Sequence, residues 1–200
     1  MPHSKVILHF GGSDLTAKKL RTHVQAFPNA HIEEINIKRT SQLPLLPKGV
    51  THNRQDFLHA LKAKPDNSVD QIHSEMALGY YRKAFFKIPF HGRLIPFLSE
   101  RSRAATNYAC KVLNVAYKKL KDGGHIEIVV SNCRDTYCLT NGFLNIMSAI
   151  DKTTFEKDKI KVREVPKYEA EKMDYWVSDT HQTLHSGPRY PIVYKITLTK

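Results

Sequence analysis

Ala116-Tyr117-Lys118-Lys119-Leu120-Lys121-Asp122-Gly123-Gly124-His125-Ile126-Glu127-Ile128-Val129 is the stretch on which the fold turns. Upstream of it, Ala105, Tyr108, Val112, Leu113, Ala116, Tyr117 and Leu120 fall at i, i+3, i+7, i+8, i+11, i+12 and i+15, one continuous apolar face. Lys111, Lys118, Lys119 and Lys121 take the opposite side, so the spacing predicts an amphipathic helix from about Ser99 to Lys121. Asp122-Gly123-Gly124 is then read as its left-handed C-cap, a conformation that glycine adopts without a Cβ penalty. His125 to Val130 follows as a strand with a nearly all-apolar end, as in a sheet covered on both faces.

Working outward, strand-like and helix-like segments alternate. Lys5 to Phe10 is a short apolar run stopped by Gly11-Gly12, and Ser13 or Asp14 caps a helix carrying Leu15, Leu20, Val24 and Phe27. Pro28-Asn29 ends it, and His31 to Ile37 alternates with period two as a second strand. After a proline-bearing loop from Leu43 to Pro47, Asn53 to Lys62 reads as a strand end running into a helix. Lys64 to Ser68 is a turn, and Val69 to Ser74 the next strand. Beyond the quoted stretch come a helix near Asn141–Ile150 and strands at Lys159–Val165 and Ile192–Thr199, the last two separated by a long polar loop and suited to antiparallel pairing at a sheet edge. Alternation of this kind predicts a doubly wound α/β sheet.

Length and composition agree. Two hundred residues make one domain, taken here as 1–200, and 41% hydrophobic with 25% charged residues is a globular composition. No apolar run approaches the ~20 residues that span a bilayer, and Met1-Pro2-His3-Ser4-Lys5 leads straight into a strand-like segment. Cys110, Cys133 and Cys138 are too few for a disulfide framework. The expectation is a protein that neither spans a membrane nor is secreted, at home in a reducing cytoplasm. The formal net charge is +12, with 14 basic residues against 8 acidic in residues 1–100 and 17 against 11 in 101–200. An excess spread so evenly belongs to the domain rather than to a tail, and suggests a polyanionic partner, nucleic acid before membrane surface.

Two motifs carry a family resemblance. Pro65-Asp66-Asn67-Ser68-Val69-Asp70-Gln71-Ile72, some fifty residues before the opening stretch, is similar to the "P-D-x-S-x-D" turn that opens strand four of class I S-adenosylmethionine-dependent methyltransferases. Leu120-Lys121-Asp122-Gly123-Gly124 is similar to the "L-K-x-G-G" turn before their fifth strand. Tyr190 to Leu198 resembles the reversed last strand of that fold, so the likeness runs from about Lys5 to Lys200. It implies a mostly parallel, seven-stranded Rossmann-like sheet with an antiparallel last strand, S-adenosylmethionine as cofactor, and methyl transfer as the activity.

The resemblance also implies a cofactor site. Gly11, Gly12 and Asp14 match the glycine-rich loop, where backbone N–H groups at a helix start meet the methionine carboxylate. The family has an acid before this loop and three alternating glycines; this chain has His9 and two adjacent glycines. Asn36 matches the acid that accepts from the ribose hydroxyls, with Glu34 two residues back, and offers an uncharged acceptor instead. Asp56 and Phe57 match the pair that accepts from the adenine amino group and packs on the ring. Ser74 and Glu75 lie at the strand-four tip, where the family brings methyl donor and acceptor together, and position makes Glu75 the catalytic candidate. No Asn-Pro-Pro-Tyr type sequence is present. The altered loop leaves a second reading, a methyltransferase-like module without catalysis that binds nucleic acid or protein.

The segment Tyr80 to Arg103 carries Arg82, Lys83, Lys87, Arg93, Arg101 and Arg103 against one acid, Glu100, interleaved with Tyr80, Tyr81, Phe85, Phe86, Phe90 and Phe97. Cations for phosphates and aromatic faces for unstacked bases are what RNA recognition uses; the alternative is a buried aromatic core with a solvated basic side. Cys133-x4-Cys138 and His181-x3-His185 have zinc-ligand residue types, but structural zinc pairs are usually closer, and no metal is expected. Cys110 reads as a structural thiol within the long helix.

Overall fold

A computed structural model of the chain describes residues 4–11, 14–36, 46–75, 77–80, 94–132, 141–172 and 192–200, for 14–18, 80, 94–101 and 171 the backbone alone. The elements are β1 (Val6–Phe10), α1 (Asp14–Ala26), β2 (His31–Ile35), β3 (Val50–Asn53), α2 (Phe57–Lys62), β4 (Val69–Glu75), a 3-10 turn at Leu78–Tyr80, α3 (Leu94–Lys119), β5 (Leu120–Ser131), α4 (Gly142–Ile150), β6 (Ile160–Glu164), α5 (Lys167–Lys172) and β7 (Val193–Thr199). The strands form a seven-stranded sheet in the order β3-β2-β1-β4-β5-β7-β6. β1, β2, β3, β4 and β5 pair parallel, while β7 runs antiparallel between β5 and β6. The expected doubly wound, mostly parallel sheet with a reversed last strand is the one the chain forms.

Local chemistry sets the boundaries, and in four places they differ from the sequence reading. The long helix begins at Leu94 rather than Ser99, with Pro96 inside its first turn, where a missing N–H costs nothing. It ends at Lys119 without a glycine cap. The backbone N–H groups of Asn67 and Ser68 donate to the carbonyls of Lys118 and Lys119 (3.1 and 2.9 Å), so the turn before β4 satisfies the helix end. Leu120 already pairs with Val69, and Gly123, at φ +77, bends the long strand β5 instead. The strand read as alternating, His31 to Ile37, ends at Ile35 and is buried from Ile32 onward, because β1 and β3 flank it. Its polar members find partners: Glu33 accepts from Asn53 Nδ2 (2.6 Å) and from Lys64 Nζ. The stretch read as polar loop contains α5, whose Glu169 receives both terminal nitrogens of Arg163 on β6.

The two faces of the sheet differ in kind. Against one lie α2, α3 and α4, around a core that among the described residues includes Leu8, Phe10, Ile72, Ile126, Ile128 and Ile196 with Ala109, Val112, Leu113 and Ala116 of α3. Each fully buried large aliphatic side chain there stabilises by roughly 1.5–3 kcal/mol, so this face supplies most of the folding free energy. Against the other lies α1, where the described residues form a smaller buried apolar cluster of Ile7, Leu20 and Ile32, flanked by Val24 and Phe27, and where the sheet carries many polar side chains.

The turn after β4 is fixed by a close backbone approach. A Cβ on Gly79 would stand 2.7 Å from the Gly142 carbonyl oxygen at the start of α4. Asn145 of α4 donates to the Gly79 carbonyl (3.1 Å) and accepts from Ser102 Oγ of α3 (2.5 Å). Gly79→Ala is therefore expected to lower stability by about 1–3 kcal/mol, read as a denaturation midpoint; an unchanged midpoint would show that the turn has room to shift.

Candidate functional site

Register brings one end of the sheet to a common level. Phe10 pairs with Ile35 and with Ser74, and Ile35 with Asn53, so Gly11, Asn36, Arg54 and Glu75 leave their strands side by side. β1 has β2 on one side and β4 on the other, the switch point at which open α/β sheets form a cleft.

Most of the expected cofactor residues stand at this edge. Gly11 is buried directly after β1, its N–H donating to the Ile35 carbonyl (3.4 Å), and Asp14 is the first residue of α1. Asn36 is buried, its N–H donating to the Asn53 carbonyl (3.0 Å). Asp56 caps α2: one carboxylate oxygen accepts from the Leu58 N–H (3.1 Å), the other from the Tyr108 hydroxyl of α3 (2.9 Å). Phe57, the next residue, stacks flat on Phe10 with centroids 4.6 Å apart and 8° between the planes. Ser74 is buried and accepts from the Leu78 N–H (3.1 Å), shaping the turn after β4. Glu75 is buried at the β4 tip with Lys19 Nζ 4.0 Å away. Of the expected nucleic-acid contacts, Arg103 is exposed on α3 and Arg101 lies in its backbone. Gly12, Arg82, Lys83, Lys87 and Arg93 lie outside the described residues, as do Cys133, Cys138, His181 and His185.

Sequence reasoning missed a polar row across the α1 face. His52, Glu34, His9, His73, Glu127, Thr197 and Lys161 are successive register partners on β3, β2, β1, β4, β5, β7 and β6. His52 Nδ1 lies 2.5 Å from Glu34 Oε2. His9 Nε2 lies 2.7 Å from Nδ1 of His23, which α1 lowers onto the row. The rings of His9, His23 and His73 are mutually close, with centroids 4.7, 5.0 and 4.2 Å apart. Glu127 is the hub: Lys195 of β7 ion-pairs with it, Lys19 of α1 stands 3.4 Å away and His73 Nδ1 3.7 Å away.

The electrostatics follow from burial. Burial opposes the charge of Glu127, but His73, Lys195 and Lys19 outweigh it and hold the carboxyl below the ordinary range. Burial keeps the imidazoles neutral. It pushes His9 well below its ordinary value with help from His73 and His23, lowers His23 to about 3, and lowers His73 against the pull of Glu127. The stacked His9 and His73 rings, 19° from parallel, do not converge their lone pairs, and among the described residues no group of three His, Cys, Asp or Glu is arranged to hold a metal.

No protein-family model and no curated protein matches the chain. Solved structures do. Phosphoethanolamine N-methyltransferase 2 of Haemonchus contortus, in complex with S-adenosyl-L-methionine, is 14% identical with a TM-score of 0.57, over 100% of this chain and 49% of that one. This chain thus spans about half the length of that enzyme. The 16S rRNA (adenine(1408)-N(1))-methyltransferase of Catenulisporales acidiphilia is 12% identical with a TM-score of 0.51, over 98% of this chain and 85% of that one. A putative methyltransferase of Bacillus halodurans is 10% identical with a TM-score of 0.53, over 98% and 93%. The likeness is one of fold, strand order and reversed last strand together: the chain has the class I, Rossmann-like fold of S-adenosylmethionine-dependent methyltransferases.

Proposed function

We propose that this chain binds S-adenosylmethionine at the ends of β1, β2 and β4 and transfers its methyl group to an acceptor, with RNA as the acceptor class. The observation that carries the reading is the fold with its switch point between β1 and β4, where Gly11, Asn36 and Glu75 stand together at the ends of β1, β2 and β4. The donor set suits the cofactor. The start of α1 suits a carboxylate, the Asn36 amide suits ribose hydroxyls, and Asp56 and Phe57, at the start of α2, supply an acceptor and an apolar ring for an adenine. Bound S-adenosylmethionine supplies an electrophilic methyl group on a sulfonium. The chain supplies approach and alignment: Ser74 fixes the turn after β4, and Glu75 is held beside Lys19, placed to accept a proton from the acceptor.

RNA is supported by the net charge of +12 and by the basic, aromatic stretch from Tyr80 to Arg103, of which Arg103 stands exposed. Sparse cysteines, with Cys110 a free thiol, support a reducing cytoplasm as its place. No described helix is long and apolar enough to cross a membrane. A second reading, a methyltransferase-like module without catalysis that binds nucleic acid or protein, is favoured by His9 and Asn36 in the two positions where the family has acids.

Calorimetric titration with S-adenosylhomocysteine is expected to give a Kd in the micromolar range, roughly −8 kcal/mol. Asp56→Asn, which keeps an N-cap acceptor and removes the charge, is expected to weaken binding about tenfold. A silent titration with an unchanged Tm would overturn the cofactor reading and leave the non-catalytic one. For RNA, log affinity is expected to fall linearly with log salt at a slope of about −0.7 per phosphate contact; a flat response would rule out the basic stretch as a phosphate reader.

A further inference from the structure

We propose that the imidazoles of His9, His23 and His73 form a proton-operated latch that fastens α1 to the sheet: neutral, they hold the helix down; protonated, they release it while the α3 face stays folded. His9 and His73 are rigid parts of the sheet, since β1 and β4 are each paired on both sides. His23 arrives on α1, one turn after Lys19. The three residues are 1%, 7% and 4% exposed, so a proton added to any of them enters a largely desolvated site. Only one contact among the three is a hydrogen bond, His9 to His23, and among the described residues neither ring nitrogen of His73 has a hydrogen-bond partner.

The surroundings make that proton costly. Lys19 faces the cluster from α1, His125 and Glu127 from β5, Glu75 from β4 and Lys195 from β7. Glu34 of β2 is the register partner of His9 and is engaged by His52 of β3; Lys5 stands over the Phe27 ring; Arg163 of β6 is held by Glu169. Around the rings, Glu75 and Glu127 already meet Lys19 and Lys195, and Glu34 meets His52, so an added imidazolium must share carboxylates that are already engaged and is desolvated as well.

Release of α1 relieves it. Among the described residues, that helix is held otherwise by the small cluster of Ile7, Leu20, Ile32, Val24 and Phe27 and by Lys19 at Glu127 and Glu75, whereas the opposite face keeps its larger apolar core. The sign is fixed by linkage. A released histidine takes up its proton near the ordinary value of about 6.5, and an attached one only lower, at about 3 for His23. Protons thus favour the released form, and attachment weakens as pH falls from about 6.5 toward 3, by up to roughly tenfold per histidine per pH unit. Because α1 begins three residues after Gly11, release also unmakes that end of the cleft.

Hydrogen exchange on the intact protein tests the latch, with rates converted to protection factors at each pH. Between pH 7.5 and 5.5 the amides of 18–26 are expected to lose at least tenfold in protection, while those of 105–119 in α3 keep theirs. His23→Gln, which removes the latch's one contribution from α1, is expected to make the loss shallower by about one proton. A complementary titration by imidazole NMR should show three rings still neutral at pH 5.5. Parallel loss of protection in α1 and α3, flat protection of α1 down to pH 5, or protonation of the three rings at pH 6 with α1 still attached would each overturn the proposal.

Discussion

A carboxylate pressed against the middle of a sheet is tolerated only where partners surround it, and Glu127 sets that condition for half of this molecule. Taking a charge out of water costs several kcal/mol unless it is paired. Its partners come from three directions, Lys19 on α1, Lys195 on β7 and His73 on β4. Each of those elements brings a partner to the part-buried Glu127, so this one carboxylate ties the first helix, the central strands and the last strand together. The same requirement accounts for the polar row, since polar neighbours in register with a part-buried charge help to stabilise it.

The sheet thereby divides its labour. The α3 face is an apolar scaffold, and two polar clamps tie it to the cleft end. Tyr108 of α3 fixes the Asp56 carboxylate, and Asn145 of α4 holds both the Gly79 carbonyl and the Ser102 hydroxyl. The α1 face contributes little apolar burial and much charge, which leaves the helix next to the glycine turn fastened mainly by electrostatics.

The architecture was legible in the sequence because its strongest signals are local. The apolar face from Ala105 to Leu120 predicted α3, and the reversed strand near Ile192–Thr199 predicted β7. Boundaries failed where a distant segment intervened. Gly123 looked like a helix cap, but the Asn67–Ser68 turn, fifty residues earlier, caps α3 and frees the glycine to bend β5. Gly11, Asn36, Asp56 and Phe57 became candidates through resemblance alone; nothing in the spacing said that Tyr108 would bind Asp56. The polar row was illegible for a stricter reason. His9, Glu34, His52, His73 and Glu127 lie on five strands, and only pairing register brings them side by side. The available signal was a polar residue set among apolar ones, as His9 is in Val6–Phe10, which one sequence does not distinguish from a solvent-facing position.

The most direct test of this account is a crystal structure of the protein grown with S-adenosylhomocysteine. The account predicts the ligand across the ends of β1, β2 and β4, its carboxylate at the start of α1, its ribose at Asn36 and its adenine beside Phe57 and Asp56. Ligand bound elsewhere, or a cleft closed by its own side chains at saturating ligand, would contradict it.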